Sequence, residues 1–118
     1  MKEQAVQKRG ALTPTEQHAL QRFKTVLESM LADNLMFLRL FGSRAREEGT
    51  EESDLDVLIV LQEKSRALCR RIVAEALEID LAYDTNLAPT ILSVEEYQQN
   101  RDCHTPFYRN VERESLPL

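Results

Sequence analysis

Between Leu38 and Leu61 the chain reads LRL-FGSRAREEGTEESDLD-VLIVL. Two apolar runs flank a polar segment that opens on Gly42-Ser43 and closes on Asp54-Leu55-Asp56. The runs are short and nearly continuous in apolar residues, a pattern that fits strands in the interior of a sheet better than helices. Leu35 to Phe41 is therefore read as one buried strand and Asp54 to Leu61 as a second. A sheet buried on both faces needs a helical layer on each side, and the remaining segments must supply it.

They have the right patterns. Thr13-Pro14 is an N-cap followed by proline at the first helical position. Leu20, Phe23, Leu27, Met30 and Leu31 follow at spacings of three and four, so a helix with one apolar face runs to a stop near Asp33-Asn34. Gly42 permits a tight turn, and Ser43 can cap a short helical stretch from Arg44 to Glu48 that Gly49 ends. Ser65 to about Tyr83 is a second long helix with Leu68, Ile72, Ala76, Ile79 and Tyr83 on one stripe. Arg66, Arg70 and Arg71 with Glu75 and Glu78 form its solvated face rather than a phosphate site.

Asn86 or Leu87 to Leu92 is a third strand, and Pro89 within it predicts an edge position. Ser93-Val94-Glu95-Glu96 is a capping box that opens a short helix through Tyr97. Thr105-Pro106 opens a last helix to Glu114, and Phe107, Tyr108 and Leu116 are expected to complete the core, with binding of a partner as the alternative. The fold class is α/β (α+β), a small mixed sheet flanked by helices. One domain is expected over residues 13–118, after a polar tail over residues 1–12.

Composition narrows the function. A chain of 118 residues fits one domain with a modest core. A net charge of −5 argues against a protein that binds DNA or RNA through a basic surface. It leaves room for a small nucleotide that arrives with Mg²⁺. No apolar run is long enough to span a membrane, and the first ten residues lack the apolar core of a secretory signal. Cys69 and Cys103 are isolated, without metal-ligand spacing. A cytoplasmic location with reduced thiols is the expectation.

Asp54 and Asp56 are one residue apart on a strand, so their side chains share a face, about 7 Å apart at the backbone. Two neighbouring carboxylates repel one another and are costly to desolvate. A divalent cation relieves both costs. Hard oxygen ligands suit Mg²⁺, which takes one or two protein carboxylates and completes its shell with phosphate oxygens and water. Gly42-Ser43 supplies the complementary half. A strand that turns through Gly-Ser into a helix aims backbone N–H groups at an anion, and Arg44 or Arg46 can add charge. Phosphate beside metal fits phosphoryl or nucleotidyl transfer.

FGSRAR…SDLDVLIV resembles the signature of the nucleotidyltransferase superfamily related to DNA polymerase beta: Gly-Ser, a gap, then Asp-x-Asp. The gap and the small size are most similar to the minimal nucleotidyltransferases of the MntA-like antitoxin group. The motif spans about 20 residues, with the surrounding element order reaching from Pro14 to roughly Tyr97. The resemblance implies that Gly42, Ser43 and Arg44 hold a nucleoside triphosphate, with ATP expected. It implies that Asp54 and Asp56 are the catalytic and Mg²⁺-binding residues. It further implies transfer of AMP to a hydroxyl of a partner protein, a HEPN-type toxin in the resembling group. Self-association is also an expectation, because the chain has no second domain to bind a large substrate. Active members of the superfamily carry a third carboxylate on the next strand. Here that strand, LAPTIL, holds no acid. The nearest candidates are Asp84, just before it, and Asp80, which helical periodicity places on the preceding helix. The alternative function is therefore a non-catalytic, nucleotide-binding antitoxin or complex subunit that acts by contact.

Overall fold

The computed structural model describes residues 12–46 and 54–118. The expected tail over residues 1–12 lies outside this range except for Leu12, which packs against the core. The short helical stretch expected from Arg44 to Glu48 is a turn as far as Arg46, and its expected end, Glu48-Gly49, lies outside the described residues.

Helix α1 is Pro14–Leu31, followed by a turn of 3₁₀ helix over Ala32–Asn34. Strands β1 (Leu35–Phe41) and β2 (Leu55–Leu61) come next, then α2 (Arg66–Tyr83) and β3 (Leu87–Ser93). Helices α3 (Val94–Asp102) and α4 (Pro106–Glu114) precede a two-residue strand β4 (Leu116–Pro117). The sheet order is β3-β2-β1-β4. β1 is antiparallel to β2 and to β4, whereas β2 and β3 are parallel. A parallel pair needs a crossover, and α2 provides it. Pro89 sits on β3 opposite Val57, at the sheet edge, where its missing N–H leaves no ladder bond unmade.

The caps act where the sequence places them. Thr13 accepts from the Glu16 N–H while the Glu16 carboxylate accepts from the Thr13 N–H. Ser93 and Glu96 make the same reciprocal pair at α3. That box opens a helix that continues to Asp102, longer than its weak apolar pattern suggested.

β2 is the centre of the protein. From Val57 to Leu61 every residue is fully buried. Val57, Ile59 and Leu61 face α1 and α2, joining Phe23, Leu27, Ile72 and Ala76. Leu58 and Val60 face the other way, against Tyr97 and Val111 of α3 and α4. Phe107 packs edge-on against Phe41, and Tyr97 contacts Phe37 and Tyr108, so the C-terminal segment completes the second layer. β4 was not anticipated. It pairs Leu116 with Leu40 and covers the outer edge of β1.

Ile59→Ala is expected to cost about 2–5 kcal/mol in urea unfolding, because it opens a cavity between the sheet and two helices. Tyr97 yields a second expectation. Burial, with the Glu112 carboxylate that accepts its hydroxyl hydrogen bond, pushes its pKa up to about 12. The unfolded chain ionises this phenol first, so stability falls as pH rises from the ordinary tyrosine value toward about 12. A spectrophotometric titration should show a phase near pH 12 that Tyr97→Phe removes.

Candidate active site

The Gly-Ser turn and the Asp-x-Asp triplet meet because β1 ends where β2 begins. Phe41 is the register partner of Asp56, which brings the next residue, Gly42, against the Asp56 carboxylate. Gly42 has φ +84°, in the left-handed region. A Cβ at this position would lie 2.2 Å from Asp56 Oδ2. Glycine is required twice over here, for its backbone conformation and for the space that the carboxylate occupies.

After Gly42 the chain closes a turn. The N–H groups of Ala45 and Arg46 donate to the Gly42 carbonyl at 3.1 and 3.3 Å, and Arg46 N–H also donates to Ser43 O at 3.1 Å. A turn closed in this way leaves its leading N–H, that of Ser43, outside its own hydrogen-bond pattern. It is one of the backbone N–H groups expected to face an anion.

Asp54 is exposed, one residue ahead of β2, and Asp56 is partly buried. The pKa of Asp56 is raised, first by desolvation and then by the charge of Asp54, with Arg46 opposing. The carboxylates therefore feel each other as the spacing required. Two hard oxygen donors with mutual repulsion fit an Mg²⁺ that arrives with phosphate oxygens and water. Among the described residues no group of three acids, histidines or cysteines is arranged to hold a metal by itself.

Two expectations are corrected by the geometry. Arg44, assigned to the triphosphate, points inward and is fully buried. Its guanidinium grips both carboxylate oxygens of Glu16, with Nη1 donating to Oε2 at 3.1 Å and Nη2 to Oε1. The partner was hidden in the sequence because Glu16 reads as half of a capping box, which it also is. Arg46 is the arginine that reaches the site. It acts on Asp56 and pairs with Glu114 of α4 at 3.3 Å.

The second correction is Asp84. It is the C-cap of α2 in a left-handed conformation (φ +58°), exposed, and its N–H donates to Asp80 O. β3 starts three residues later, so Asp84 holds no strand position. Asp80 is structural: its Oδ1 accepts from the Thr85 hydroxyl at 2.8 Å and the Leu87 N–H at 2.9 Å. The β3 residue in register with Asp56 is Ala88. A carboxylate there would share the Asp56 face, and alanine offers none.

Three expectations follow. Gly42→Ala should destabilise the fold and displace Asp56, and its cost should shrink in an Asp56→Gly background, as a double-mutant cycle of unfolding free energies reads directly. Asp56→Asn should raise the melting temperature at neutral pH. The folded protein holds the Asp56 proton more tightly than the unfolded chain does, so the ionised group weakens folding above the ordinary carboxylate pKa. Arg44→Met should cost about 3–5 kcal/mol by stranding a buried carboxylate, and adding Glu16→Gln should recover most of it.

Comparison with known proteins agrees with this fold. The family model described as "Polymerase beta, Nucleotidyltransferase" matches residues 22–101. In Methanocaldococcus jannaschii, "Putative protein adenylyltransferase MJ0604" is 31% identical over 106 residues, covering 87% of this chain and 97% of that protein. "Putative protein adenylyltransferase MJ0141" of the same organism is 37% identical over 73 residues, covering 61% and 74%. The solved "Structure of putative minimal nucleotidyltransferase" superposes with TM-score 0.54 at 27% identity, over 92% of this chain and 100% of that one. A mutant of the toxin-antitoxin complex MntA-HpeT shares the fold, with TM-score 0.52 at 19% identity over 83% and 70% of the two chains. With the Gly-Ser turn seated on the second aspartate of Asp-x-Asp at the head of β2, the chain belongs to the polymerase beta nucleotidyltransferase family.

Proposed function

We propose that the chain transfers a nucleoside monophosphate, AMP from ATP, to a hydroxyl of a partner protein. The observation that carries this reading is the contact between Gly42 and the Asp56 carboxylate, which brings the Gly-Ser turn against the Asp-x-Asp pair. Family membership and two relatives named as protein adenylyltransferases support the reaction class. The toxin-antitoxin complex that shares the fold supports a toxin as that partner, and the resemblance of the motif to the MntA-like group is what suggests the HEPN type.

In this mechanism the Ser43 N–H and hydroxyl donate to phosphate oxygens. Asp54 and Asp56 would hold Mg²⁺, which when bound would neutralise the triphosphate and make the α-phosphorus more electrophilic. Arg46, held by Glu114, offsets the negative charge of the site. The acceptor hydroxyl attacks the α-phosphorus and gives its proton to the surrounding water. A new O–P bond forms, the bond to the bridging oxygen breaks, and pyrophosphate leaves.

A second reading has its own support: a nucleotide-binding antitoxin or complex subunit that works by contact alone. Ala88 stands in register with Asp56 where a third carboxylate would share the metal, and Asp84 lies off the strand.

Transfer of label from α-labelled ATP to protein, with Mg²⁺ and with the chain alone or with its co-purified partner, separates the two. Labelled partner that falls by roughly a hundredfold or more in Asp54→Ala or Asp56→Ala establishes the transferase. ATP binding that depends on Mg²⁺ without transfer establishes the contact reading. Circular dichroism should show both variants folded.

A further inference from the structure

Helix α2 carries an apolar stripe that its own fold does not use. Ile72, Ala76 and Ile79 turn into the core, whereas Val73, Leu77 and Leu81 are 43%, 58% and 83% exposed. A spacing of four residues aligns these three on one flank. Arg71 and Glu75, on the opposite flank, line the groove with Arg22 and Val26 of α1. The stripe therefore lies away from α1, facing outward.

The charges of α2 are as unusual as its stripe. Arg66, Arg70 and Arg71 crowd its N-terminal third, while Glu78, Asp80 and the C-cap Asp84 occupy its C-terminal end. The helix macrodipole favours the reverse, anions at the N-terminus and cations at the C-terminus. Arg66, Arg70, Glu78 and Asp84 form no ion pair among the described residues. Each end of the helix is thus burdened with charge of the sign that it tolerates least.

We propose that this flank of α2 is a homodimer interface, with α2 packed antiparallel on α2 of a second copy about a two-fold axis that crosses the helix midway between Val73 and Leu77. An isologous contact of this kind requires a self-complementary surface, and the charge pattern is one. The two-fold sets Val73 against Leu77 of the other copy. It sets Arg70 beside Asp80 and Arg66 beside Asp84 at both ends. The opposed dipole of the second helix compensates the misplaced charges of the first. Positions 66, 70, 73 and 77 alternate spacings of four and three, the seam of an antiparallel coiled coil. A parallel partner would bring arginines against arginines. An 18-residue helix is about 27 Å long. Its flank alone buries less than the roughly 800 Å² per partner of a standard interface. The dimer is therefore concentration-dependent.

Sedimentation velocity of the full chain across roughly 1–300 µM tests this. The expected result is a monomer–dimer equilibrium that weakens roughly tenfold or more in Leu77→Glu and Leu81→Glu. Both sites are exposed, so both variants should keep the wild-type circular dichroism. Charge reversal gives the orientation: Arg66→Glu and Asp84→Arg should each be monomeric alone and dimerise when mixed. A wild type that stays monomeric throughout the range overturns the proposal, even if the stripe proves to bind another protein. A dimer indifferent to Leu77→Glu and Leu81→Glu also overturns it.

Discussion

The buried pair between Arg44 and Glu16 ties the site to the rest of the protein. A guanidinium with no exposure to solvent is tolerated only where its charge is matched. Glu16 matches it with both oxygens while one of them also caps α1 through the Thr13 N–H. Three elements converge on this carboxylate: the N-terminus of α1, the turn after β1, and through that turn the head of β2. Such a pair contributes little net stability over an apolar replacement of equal volume. What it does is select one conformation. The turn that presents Ser43 cannot rotate outward without stranding two buried charges.

A division of labour follows between the two arginines of the SRAR segment. Arg44 is structural and points into the protein, while Arg46 remains at the surface between Asp56 and Glu114. The same local turn orients both, since residues two apart on a tight turn leave it in different directions. The site is negatively charged where the aspartates stand and is moderated by one arginine that is itself held by a glutamate. That balance suits a ligand that brings its own cation with its phosphates.

Much of this was legible in the chain. β1 matches the apolar run Leu35–Phe41, and the N-cap threonines and serines mark four helix starts because a capping bond depends on neighbours three residues away. Pro89 placed β3 at an edge by the chemistry of a missing donor. Less was legible where the partner is distant. Nothing local to Arg44 indicates whether it faces a phosphate or a carboxylate 28 residues earlier. Nothing local to Leu116-Pro117 indicates a strand, because two residues form one only if an edge is available to pair with.

The sequence by itself determined the types of the four long helices and the three long strands, their apolar faces and the presence of the Gly-Ser and Asp-x-Asp motifs, since each rests on short-range periodicity, capping or turn chemistry. The tertiary structure decided which charges are buried and which remain at the site. It seated Asp56 against Gly42 through the β1–β2 register, set Ala88 beside it through the β2–β3 register, and turned Arg44 onto Glu16. Register and burial are long-range quantities. They depend on how whole strands and helices pack, and the residues that they bring together are far apart in the chain.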